Sequence, residues 1–477
     1  MMPTLGDLFT ALFGTAPDAA WRQPIGPVVI DSRQAGPGSL FVAIRGGHNY
    51  LTEAFQAGAR AAIISQDVAF EGPLIRANVP DNLAQLTISQ KQPFCIQTDD
   101  SILGLQKLAA YWRQKFSPNV IGITGSIGKS STKELAHAVL AQQYRTLKNE
   151  GNLNNEIGLP LTLMQLDNSY EQVVLEMGMY DIGEIETLCH IAQPQVGLVT
   201  NIGPTHLERL GSIERIAQAK GELVEALPKE GQAILNADDP RVAALAGHTK
   251  AQVFTFGLTN KADLWADQIT SYGLGGLYFS LHYLDQKAEA HVPLLGRHNV
   301  YTALAAAAIG LTQGLDWEKI VAGLQDRQAG LRLTAVPGLN DALILDDTYN
   351  ASAESSIAAL NLLHEVNGRK IAVLGHMAEL GAYEEEAHRK VGRRAAEVVD
   401  LLLAVGPKAG LITEEAIAYG LPETAGICLN TNQEALEYLQ TILRAGDIVL
   451  IKGSRSLEME SIVTQLRAAQ KAPWAKA

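Results

Sequence analysis

The chain has 477 residues, of which 47% are hydrophobic and 19% are charged, and its 38 basic and 51 acidic residues give a net charge of −13. This length predicts about three domains, and the composition is typical of a globular protein with sizeable cores. The negative charge argues against a protein that wraps nucleic acid and against binding to an anionic membrane surface. A nucleotide substrate remains compatible with it, because that needs only a local positive pocket.

The first hundred residues predict a small α/β domain, which we place at 1–100. An apolar segment at 5–13 has no basic residue before Arg22, so it indicates an amphipathic helix and not a secretory signal. Three widely separated cysteines give neither a disulfide framework nor a zinc spacing, which favours the cytoplasm. Short apolar runs bounded by turn residues predict strands at 28–30, 40–44, 61–64 and 94–96.

The second predicted domain covers residues 101–329 and opens with a helix over 102–115. Apolar strands then alternate with helical stretches, which indicates a parallel sheet covered by helices. Residues 277–292 resemble a pair of antiparallel strands, and the uncharged run 299–315 predicts a buried, alanine-rich helix that is too short for a membrane span. The first strand of this domain is predicted near residue 120, and further strands are predicted at 173–175, 196–199 and 233–235.

A third alternating set of strands and helices predicts a Rossmann-like domain over 330–477, with a hinge near Ala329 and Gly330. Its strands are predicted at 342–345, 371–375, 401–405 and 448–451. The fold class is therefore α/β with three domains, in which a central P-loop parallel-sheet ATPase domain is flanked by a small N-terminal and a Rossmann-like C-terminal α/β domain. Active residues are expected at the carboxyl ends of the parallel strands.

Residues 120–134 form a short strand, a glycine loop and the start of a helix. Such a loop turns backbone N–H groups towards an anion, and the helix N-terminus adds positive potential. The standard P-loop has a glycine where Ile123 stands, so this loop is a variant. A simple turn would not need a lysine followed by two hydroxyls, so we favour phosphate binding. The predicted phosphate-binding residues are Thr124, Gly125, Ser126, Gly128, Lys129, Ser130 and Ser131.

Three further side chains follow predicted strands downstream of this loop. Glu176 ends one strand, His206 follows the next, and Lys220 is expected early in a helix. Taken singly, each has an ordinary structural interpretation. Together with Ser130 they form a candidate magnesium site, because Mg²⁺ prefers oxygen ligands and shares the phosphates of its substrate. His206 is the least orthodox member, since imidazole is a softer ligand.

The order of these motifs resembles the Mur ligases, the ATP-dependent amide ligases of peptidoglycan precursor synthesis. The resemblance spans nearly the whole chain and fits the three-domain plan of that family. It rests on segments 124–130, 152–158, 175–178, 201–206 and 219–222. Segments 346–351, 374–381 and 452–460 favour the member that adds D-alanyl-D-alanine to a UDP-muramoyl-tripeptide.

The resemblance also implies roles for the candidate residues. Lys129 covers the transferred phosphoryl group, and Lys220 is carbamylated by CO₂, which requires a neutral amine and hence a lowered pKa. Two Mg²⁺ ions are implied, one served by Ser130 and Glu176 and one served by His206 and the modified Lys220. ATP contacts are implied at Asn299, Arg332 and Asp346. Substrate contacts are implied at Ser32, Arg33, Arg45, His48, Asn155, Asp347, Tyr349, Asn350, Lys452, Ser454 and Arg455.

Some positions depart from the family pattern. Thr302 stands where the family usually has a second asparagine near the adenine, and His376 stands where it commonly has an aspartate. Ser352 and Ala353 replace an Asn-Pro pair, and Gly46 replaces the aspartate of an Asp-Gly-His sequence.

The implied reaction passes the γ-phosphoryl group of ATP to a carboxylate, and the amine of the dipeptide then displaces phosphate. A MurE-type ligase or folylpolyglutamate synthase is the near alternative, and a P-loop switch that makes no bond is the alternative from another class. The sequence Lys452-Gly453-Ser454-Arg455 and the absence of an Asn-Pro-Arg motif favour the first interpretation over a MurE type. We expect a cytoplasmic monomer with no nucleic-acid partner and no membrane span.

Overall fold

The strands of the protein form three sheets that follow one another along the chain. The structure is a computed structural model that describes residues 2–15, 22–76, 92–326 and 333–467. Within these ranges the sheets contain five, nine and six strands. The predicted α/β class is confirmed, whereas the domain boundaries stay predictions, and the boundary at 329/330 with its hinge lies outside the described residues. None of the described helices has the length and apolar character needed to cross a membrane.

The first sheet is entirely parallel, in the order β1-β2-β3-β5-β4. The predicted N-terminal helix is present, and Thr4 caps it through a reciprocal pair of hydrogen bonds with Asp7. The four predicted strands are present with small shifts at their ends, and β4 was not predicted. The elements are α1 (Leu5–Phe13), β1 (Val28–Val29), β2 (Leu40–Val42), α2 (Leu51–Gln56), β3 (Ala61–Ile64), β4 (Leu74–Arg76) and β5 (Phe94–Gln97).

Helix α3 (Ser101–Arg113) joins the first sheet to the second. Its buried face carries Leu105, Leu108 and Trp112, which belong to one apolar core together with side chains of both sheets. The indole N–H of Trp112 donates to the Leu166 carbonyl at 3.2 Å, so its polar edge is satisfied inside this core. One hydrophobic core therefore extends from the first sheet to the second.

The second sheet has the order β14-β13-β12-β11-β10-β9-β6-β8-β7. Seven strands are parallel, and β13 and β14 extend the sheet as antiparallel strands, which confirms the prediction for 277–292. Strands β7, β11 and β12 were not predicted. The strands are β6 (Asn119–Thr124), β7 (Thr146–Lys148), β8 (Gln172–Glu176), β9 (Val196–Val199), β10 (Gln232–Asn236), β11 (Gln252–Gly257), β12 (Leu264–Ser271), β13 (Leu277–Tyr283) and β14 (Gln286–Val292).

Helices cover both faces of this sheet. The predicted alanine-rich helix is confirmed as α10, whose alanines from Ala303 to Ala308 are fully buried. The expectation that Lys220 lies early in a helix is wrong, because Ser212 caps that helix and places the lysine in its second half. The helices are α4 (Lys129–Leu140), α5 (Gly158–Leu163), α6 (Glu184–Ala192), α7 (Leu207–Leu210), α8 (Ile213–Glu225), α9 (Pro240–Ala244), α10 (Val300–Thr312) and α11 (Trp317–Leu324).

The third sheet has the order β15-β16-β20-β17-β18-β19, and only the edge pair β15-β16 is antiparallel. Helices α12 to α14 pack on one face, and α15 and α16 pack on the other. The four predicted strands are present, and β15 and β19 were not predicted. The elements are β15 (Thr334–Pro337), β16 (Leu343–Asp346), α12 (Ala353–Glu365), β17 (Arg369–Gly375), α13 (Glu384–Val398), β18 (Leu401–Val405), α14 (Gly410–Ala418), β19 (Gly426–Leu429), α15 (Asn432–Ile442), β20 (Asp447–Lys452) and α16 (Glu460–Leu466).

Candidate active site

A cleft of 740 Å³ lies between the second and third sheets and is lined by loops at the carboxyl ends of their strands. Ligands of open parallel sheets bind at this end, so the position agrees with the sequence-based expectation. The cleft brings together most of the predicted site residues, although they come from distant parts of the chain. These are Ser126, Gly128, Lys129, Ser131, Asn155, Glu176, His206, Lys220, Asn299, Asp347, Tyr349, Asn350, Lys452, Ser454 and Arg455.

The predicted phosphate loop is a strand, a tight turn and a helix. Strand β6 ends at Thr124, whose hydroxyl donates to the Met177 carbonyl at 2.9 Å, and α4 begins at Lys129. Gly125 has φ +146°, and a Cβ there would lie 1.9 Å from the hydroxyl of Thr200. Gly128 has φ +85° immediately before the helix. Both positions therefore require glycine, and the loop conformation that they allow exposes the N-terminus of α4 to the cleft.

Side chains that follow β9 fix the conformation of this loop through hydrogen bonds. Asn201 accepts the Ile127 N–H through Oδ1 at 3.0 Å and donates through Nδ2 to the Ile127 carbonyl at 2.9 Å. Thr200 donates its hydroxyl to the same carbonyl at 2.7 Å, and Ser126 donates to the Gly203 carbonyl at 3.0 Å. The sequence analysis did not identify Asn201 as a site residue, although its place directly after a buried strand was a usable signal. Its contacts fix the loop before any ligand binds.

Two lysines face one another at the phosphate end of the cleft. The ammonium of Lys129 donates to the carbonyls of Gly125 and Ser126 at 2.7 and 3.2 Å. Lys220 is only 2% exposed and has no hydrogen-bond or ion-pair partner in the described part of the chain. Burial, and secondly repulsion by Lys129, holds the pKa of Lys220 well below its usual range. Burial and this repulsion both favour the neutral amine of Lys220, which is its nucleophilic form.

Glu176 is a buried carboxylate at the end of β8, with 1% of its surface exposed. One oxygen accepts the hydroxyl of Ser130, and the other accepts the Asn154 amide at 2.8 Å. The backbone N–H of Glu176 donates to Asn149 Oδ1 at 2.9 Å, which fixes the strand end. A carboxylate and a hydroxyl in contact supply hard oxygen donors, so these two side chains fit Mg²⁺. Within the described ranges, no three His, Cys, Asp or Glu side chains are grouped closely enough to hold a metal ion.

His206 lines the cleft at the start of α7, where its backbone is left-handed with φ +57°. Its Nδ1 is hydrogen-bonded to the carboxylate of Glu379, which belongs to the loop after β17. The ring of Tyr180 packs against the imidazole edge-on, with 5.1 Å between the ring centroids. The second sheet therefore contacts the third through His206 itself.

Three ATP contacts were predicted outside the phosphate loop, and Asn299 is the one of them that lines the cleft. Asn299 accepts the hydroxyl of Thr302 at 3.1 Å and donates to the Leu295 carbonyl at 2.8 Å. The threonine that replaces the usual second asparagine thus orients Asn299. Asp346 does not line the cleft, because its carboxylate accepts the N–H and hydroxyl of Thr348 in a local turn. Arg332 lies outside the described residues.

The predicted dipeptide side of the cleft centres on Lys452, which ends β20 and is 2% exposed. Its ammonium donates to Asp347 Oδ2 at 2.7 Å and to the Asn350 carbonyl at 2.8 Å. The guanidinium of Arg455 lies 5.7 Å from the centroid of the Tyr349 ring. Ser454 and Ser456 share a hydroxyl–hydroxyl contact of 2.9 Å, and Asn155 accepts the N–H of Gly158, the first residue of α5, at 2.9 Å.

The four residues predicted to hold a UDP-sugar lie in short 3₁₀ turns that follow β1 and β2, and they do not line this cleft. Arg33 is exposed and is paired with Asp31 at 2.6 Å, and Arg45 is also exposed. His48 and Ser32 are buried. His48 accepts the Ser65 N–H at 3.0 Å, and its other ring nitrogen lies 3.1 Å from the Arg45 carbonyl. Because backbone groups occupy both ring nitrogens, His48 holds two loops together and does not offer a free donor to a ligand.

Comparisons with known proteins agree with this geometry. Two family models match the chain, the Mur ligase middle domain over residues 123–310 and the Mur ligase glutamate ligase domain over residues 331–455. The UDP-N-acetylmuramoyl-tripeptide–D-alanyl-D-alanine ligase of Bacillus subtilis (strain 168) is 33% identical over 472 residues, which cover 97% of this chain and 98% of that protein.

Solved structures give the same result. A crystal structure of MurF from Acinetobacter baumannii matches with a TM-score of 0.83 and 30% identity, covering 98% of this chain and 99% of that one. A crystal structure of MurF ligase from Thermotoga maritima in complex with ADP matches with a TM-score of 0.76 and 27% identity, covering 92% and 96%. The relationship thus extends over all three sheets and is not confined to the phosphate loop. The chain belongs to the Mur ligase family.

Proposed function

We propose that this protein is an ATP-dependent, ADP-forming ligase that joins D-alanyl-D-alanine to UDP-N-acetylmuramoyl-tripeptide. The observation that carries the proposal is the cleft, in which a phosphate loop on the second sheet faces polar side chains on the third. Relatives that match nearly the full chain bear the name of this activity. A ligase needs such a junction, because ATP and the incoming amine must meet at one carboxylate.

The chain's own residues account for the handling of ATP. Backbone N–H groups of the phosphate loop and the N-terminus of α4 bind the phosphates, and Lys129 exchanges its contacts with loop carbonyls for phosphate oxygens. Ser130 and Glu176 would hold Mg²⁺, which supplies neutralisation of phosphate charge when it is bound. Asn299 would contact the adenine, and Asn201 keeps the loop in its binding conformation.

The reaction has two displacements. The tripeptide carboxylate attacks the γ-phosphorus of ATP, a new O–P bond forms, the bond to the β-γ bridging oxygen breaks, and ADP leaves. The dipeptide amine then attacks the acyl carbon, the C–O bond to phosphate breaks, and the amine loses a proton as the amide forms. Phosphorylation is needed because carboxylate oxygen is a poor leaving group. The protein contributes positioning and stabilisation of charge on the phosphoryl oxygens.

We propose that Lys220 is carbamylated, as the family resemblance implies. Its neutral amine can attack CO₂, which forms an N–C bond and releases one proton. The product is an anion next to the Lys129 ammonium, so the carbamate attracts the neighbouring cation that would repel a protonated Lys220. His206 and the modified Lys220 would then serve a second magnesium ion. The unpartnered, buried state of Lys220 supports this proposal, since an unmodified ammonium would be left without compensation.

The ligase activity is tested by phosphate release from ATP. We expect release to require both the UDP-tripeptide and D-alanyl-D-alanine. If a single amino acid replaces the dipeptide equally well, a MurE-type activity is favoured instead. If ATP is hydrolysed at the same rate without either substrate, and no amide product accumulates, the proposal of a ligase is wrong and a switch is favoured.

Carbamylation is tested on Lys220 directly. With ¹³C-labelled bicarbonate, the protein without nucleotide should show a carbamate carbon signal that is lost in Lys220→Ala and kept in the matched control Lys229→Ala, which alters an exposed lysine. Lys220→Ala should lose most activity and recover part of it with a short-chain carboxylic acid. Retention of the signal in Lys220→Ala, or unchanged turnover, would contradict the proposal.

The remaining assignments follow from the same function. We propose that the protein works in the cytoplasm as a monomer, where UDP-linked precursors and ATP are available. The acceptor contacts at Asp347, Tyr349, Asn350 and Lys452 stay proposals, as do the UDP contacts on the first sheet. Phosphate-release kinetics of single alanine variants, measured separately against dipeptide and UDP-tripeptide concentration, would assign each residue to one substrate by its effect on that substrate's KM.

A further inference from the structure

The loop that follows β9 touches the loop that follows β17, and this contact brings the second and third sheets together beside the cleft. Besides the side-chain contact of His206 with Glu379, the Glu208 N–H donates to the Glu379 carbonyl at 3.3 Å. Gly381 has φ +53°, and a Cβ there would lie 2.9 Å from the Glu208 Cα. The two backbones are therefore in direct contact, and the carboxylate reaches the imidazole across this junction.

Both members of the side-chain pair have a left-handed backbone. His206 has φ +57° and Glu379 has φ +63°. For residues other than glycine this conformation is unfavourable, and it persists where the surrounding structure fixes it. The two strained residues are hydrogen-bonded to each other, and both line the cleft. Such a concentration of strain at a ligand-binding cleft points to a constraint on the orientation of these side chains.

The chemistry of the pair determines the state of the imidazole. Glu379 meets His206 Nδ1 with its carboxylate, and a carboxylate has no hydrogen of its own to donate, so it accepts the hydrogen bond. The proton between them must therefore belong to His206 Nδ1. In the neutral imidazole, Nε2 then carries a lone pair, and Nε2 has no hydrogen-bond partner in the described part of the chain. The Tyr180 ring packs against the imidazole at a steep angle and limits its rotation.

We propose that Glu379 is a positioning residue that fixes His206 as the Nδ1–H tautomer with Nε2 facing the cleft, and that it does so only while the third domain is docked on the second. The residue belongs to one domain, and the imidazole that it orients belongs to the other. Correct presentation of Nε2 is thereby coupled to domain docking. This role rests on the proposed ligase function, in which His206 would serve a second magnesium ion.

The tautomer is measured first, because that measurement needs neither substrate nor metal. In the full chain with ¹⁵N-labelled histidine, the His206 ring should show a protonated Nδ1 and an unprotonated Nε2, with the signals assigned by their loss in His206→Gln. Glu379→Ala should give a mixture of both tautomers. The matched control Glu397→Gln, which alters an exposed carboxylate paired with Arg394, should leave the signals unchanged. Unchanged His206 signals in Glu379→Ala would overturn the proposal.

Kinetics then separate positioning from a purely structural role. Glu379→Ala should lower kcat for ligation by about 10- to 100-fold, the usual effect of removing a carboxylate that orients a functional histidine, while the KM for ATP changes little. In a His206→Ala background, the same change should cost less than about twofold, since Glu379 would act through the imidazole. An equal loss in both backgrounds would refute the proposal.

Two controls keep these outcomes separate. Thermal unfolding of Glu379→Ala should match that of the wild type. If this variant fails to fold, Glu379→Gln is used in its place, and we expect smaller changes in the same direction in the tautomer populations and in kcat. A wild-type chain that releases no phosphate with both substrates contradicts the proposed function. The tautomer of His206 still decides whether Glu379 orients it, so the two failures are distinguishable.

Discussion

The backing of the phosphate loop by Asn201 leads to a quantitative prediction for Asn201→Ala. The change removes two hydrogen bonds to Ile127, at 3.0 and 2.9 Å. Each such bond contributes about 0.5–1.5 kcal/mol net, so the pair is worth roughly 1–3 kcal/mol. Thr200 still donates to the Ile127 carbonyl, and the half-buried loop admits water, so we expect the lower half of this range. A loss of about 1.4 kcal/mol corresponds to tenfold weaker nucleotide binding.

Isothermal titration calorimetry with a non-hydrolysable ATP analogue and Mg²⁺ measures this effect directly. Asn201→Ala should bind about tenfold more weakly, while its Tm stays close to that of the wild type, because the lost bonds order a loop and not a core. Asn260→Ala is the matched control, since Asn260 is exposed in the turn between β11 and β12. Wild-type affinity in Asn201→Ala, or an equal loss in Asn260→Ala, would refute the reasoning that the loop is held in place by Asn201.

Two further predictions concern the interior. Gly323→Ala should destabilise the protein by on the order of 1 kcal/mol in urea unfolding, because the new Cβ would lie 2.4 Å from the Val139 Cα and this overpacking outweighs the better helix propensity of alanine. A higher urea midpoint would contradict it. Burial raises the pKa of Cys95 and of Cys189 to about 12, whereas Cys428 is exposed, so a thiol reagent at neutral pH should modify one cysteine in the native protein and three in denaturant. Rapid modification of a second native thiol would show that the core opens readily.

The sequence predicts a site residue well when a single local pattern defines that residue. Lys129 follows a strand and two glycines, and Glu176 ends a buried apolar run, so their chemistry and their position come from adjacent residues. The same holds for the buried alanine-rich helix α10. The strands that escaped prediction include β12, in which Asp267 and Gln268 interrupt the apolar pattern and a bulge breaks the register.

Contacts between distant segments could not be predicted in this way. Glu379 and His206 are 173 positions apart, and nothing near either residue indicates that they meet. His48 has the chemistry of a ligand-binding residue, yet its backbone partners become apparent only in three dimensions. For Lys220 a local signal was present, because Ser212 has the character of a helix N-cap and places the lysine in the second half of α8.

The position of β20 has a consequence for synthesis of the protein on the ribosome. Among the strands of the described residues this one is made last, yet it lies between β16 and β17 in the middle of the third sheet. Until Asp447–Lys452 emerges, the nascent third sheet has two unpaired inner strand edges, which are prone to pair with other chains. A premature stop codon before β20 would remove the centre of that sheet together with Lys452. Translation through Lys452 is thus a precondition for completing the third sheet.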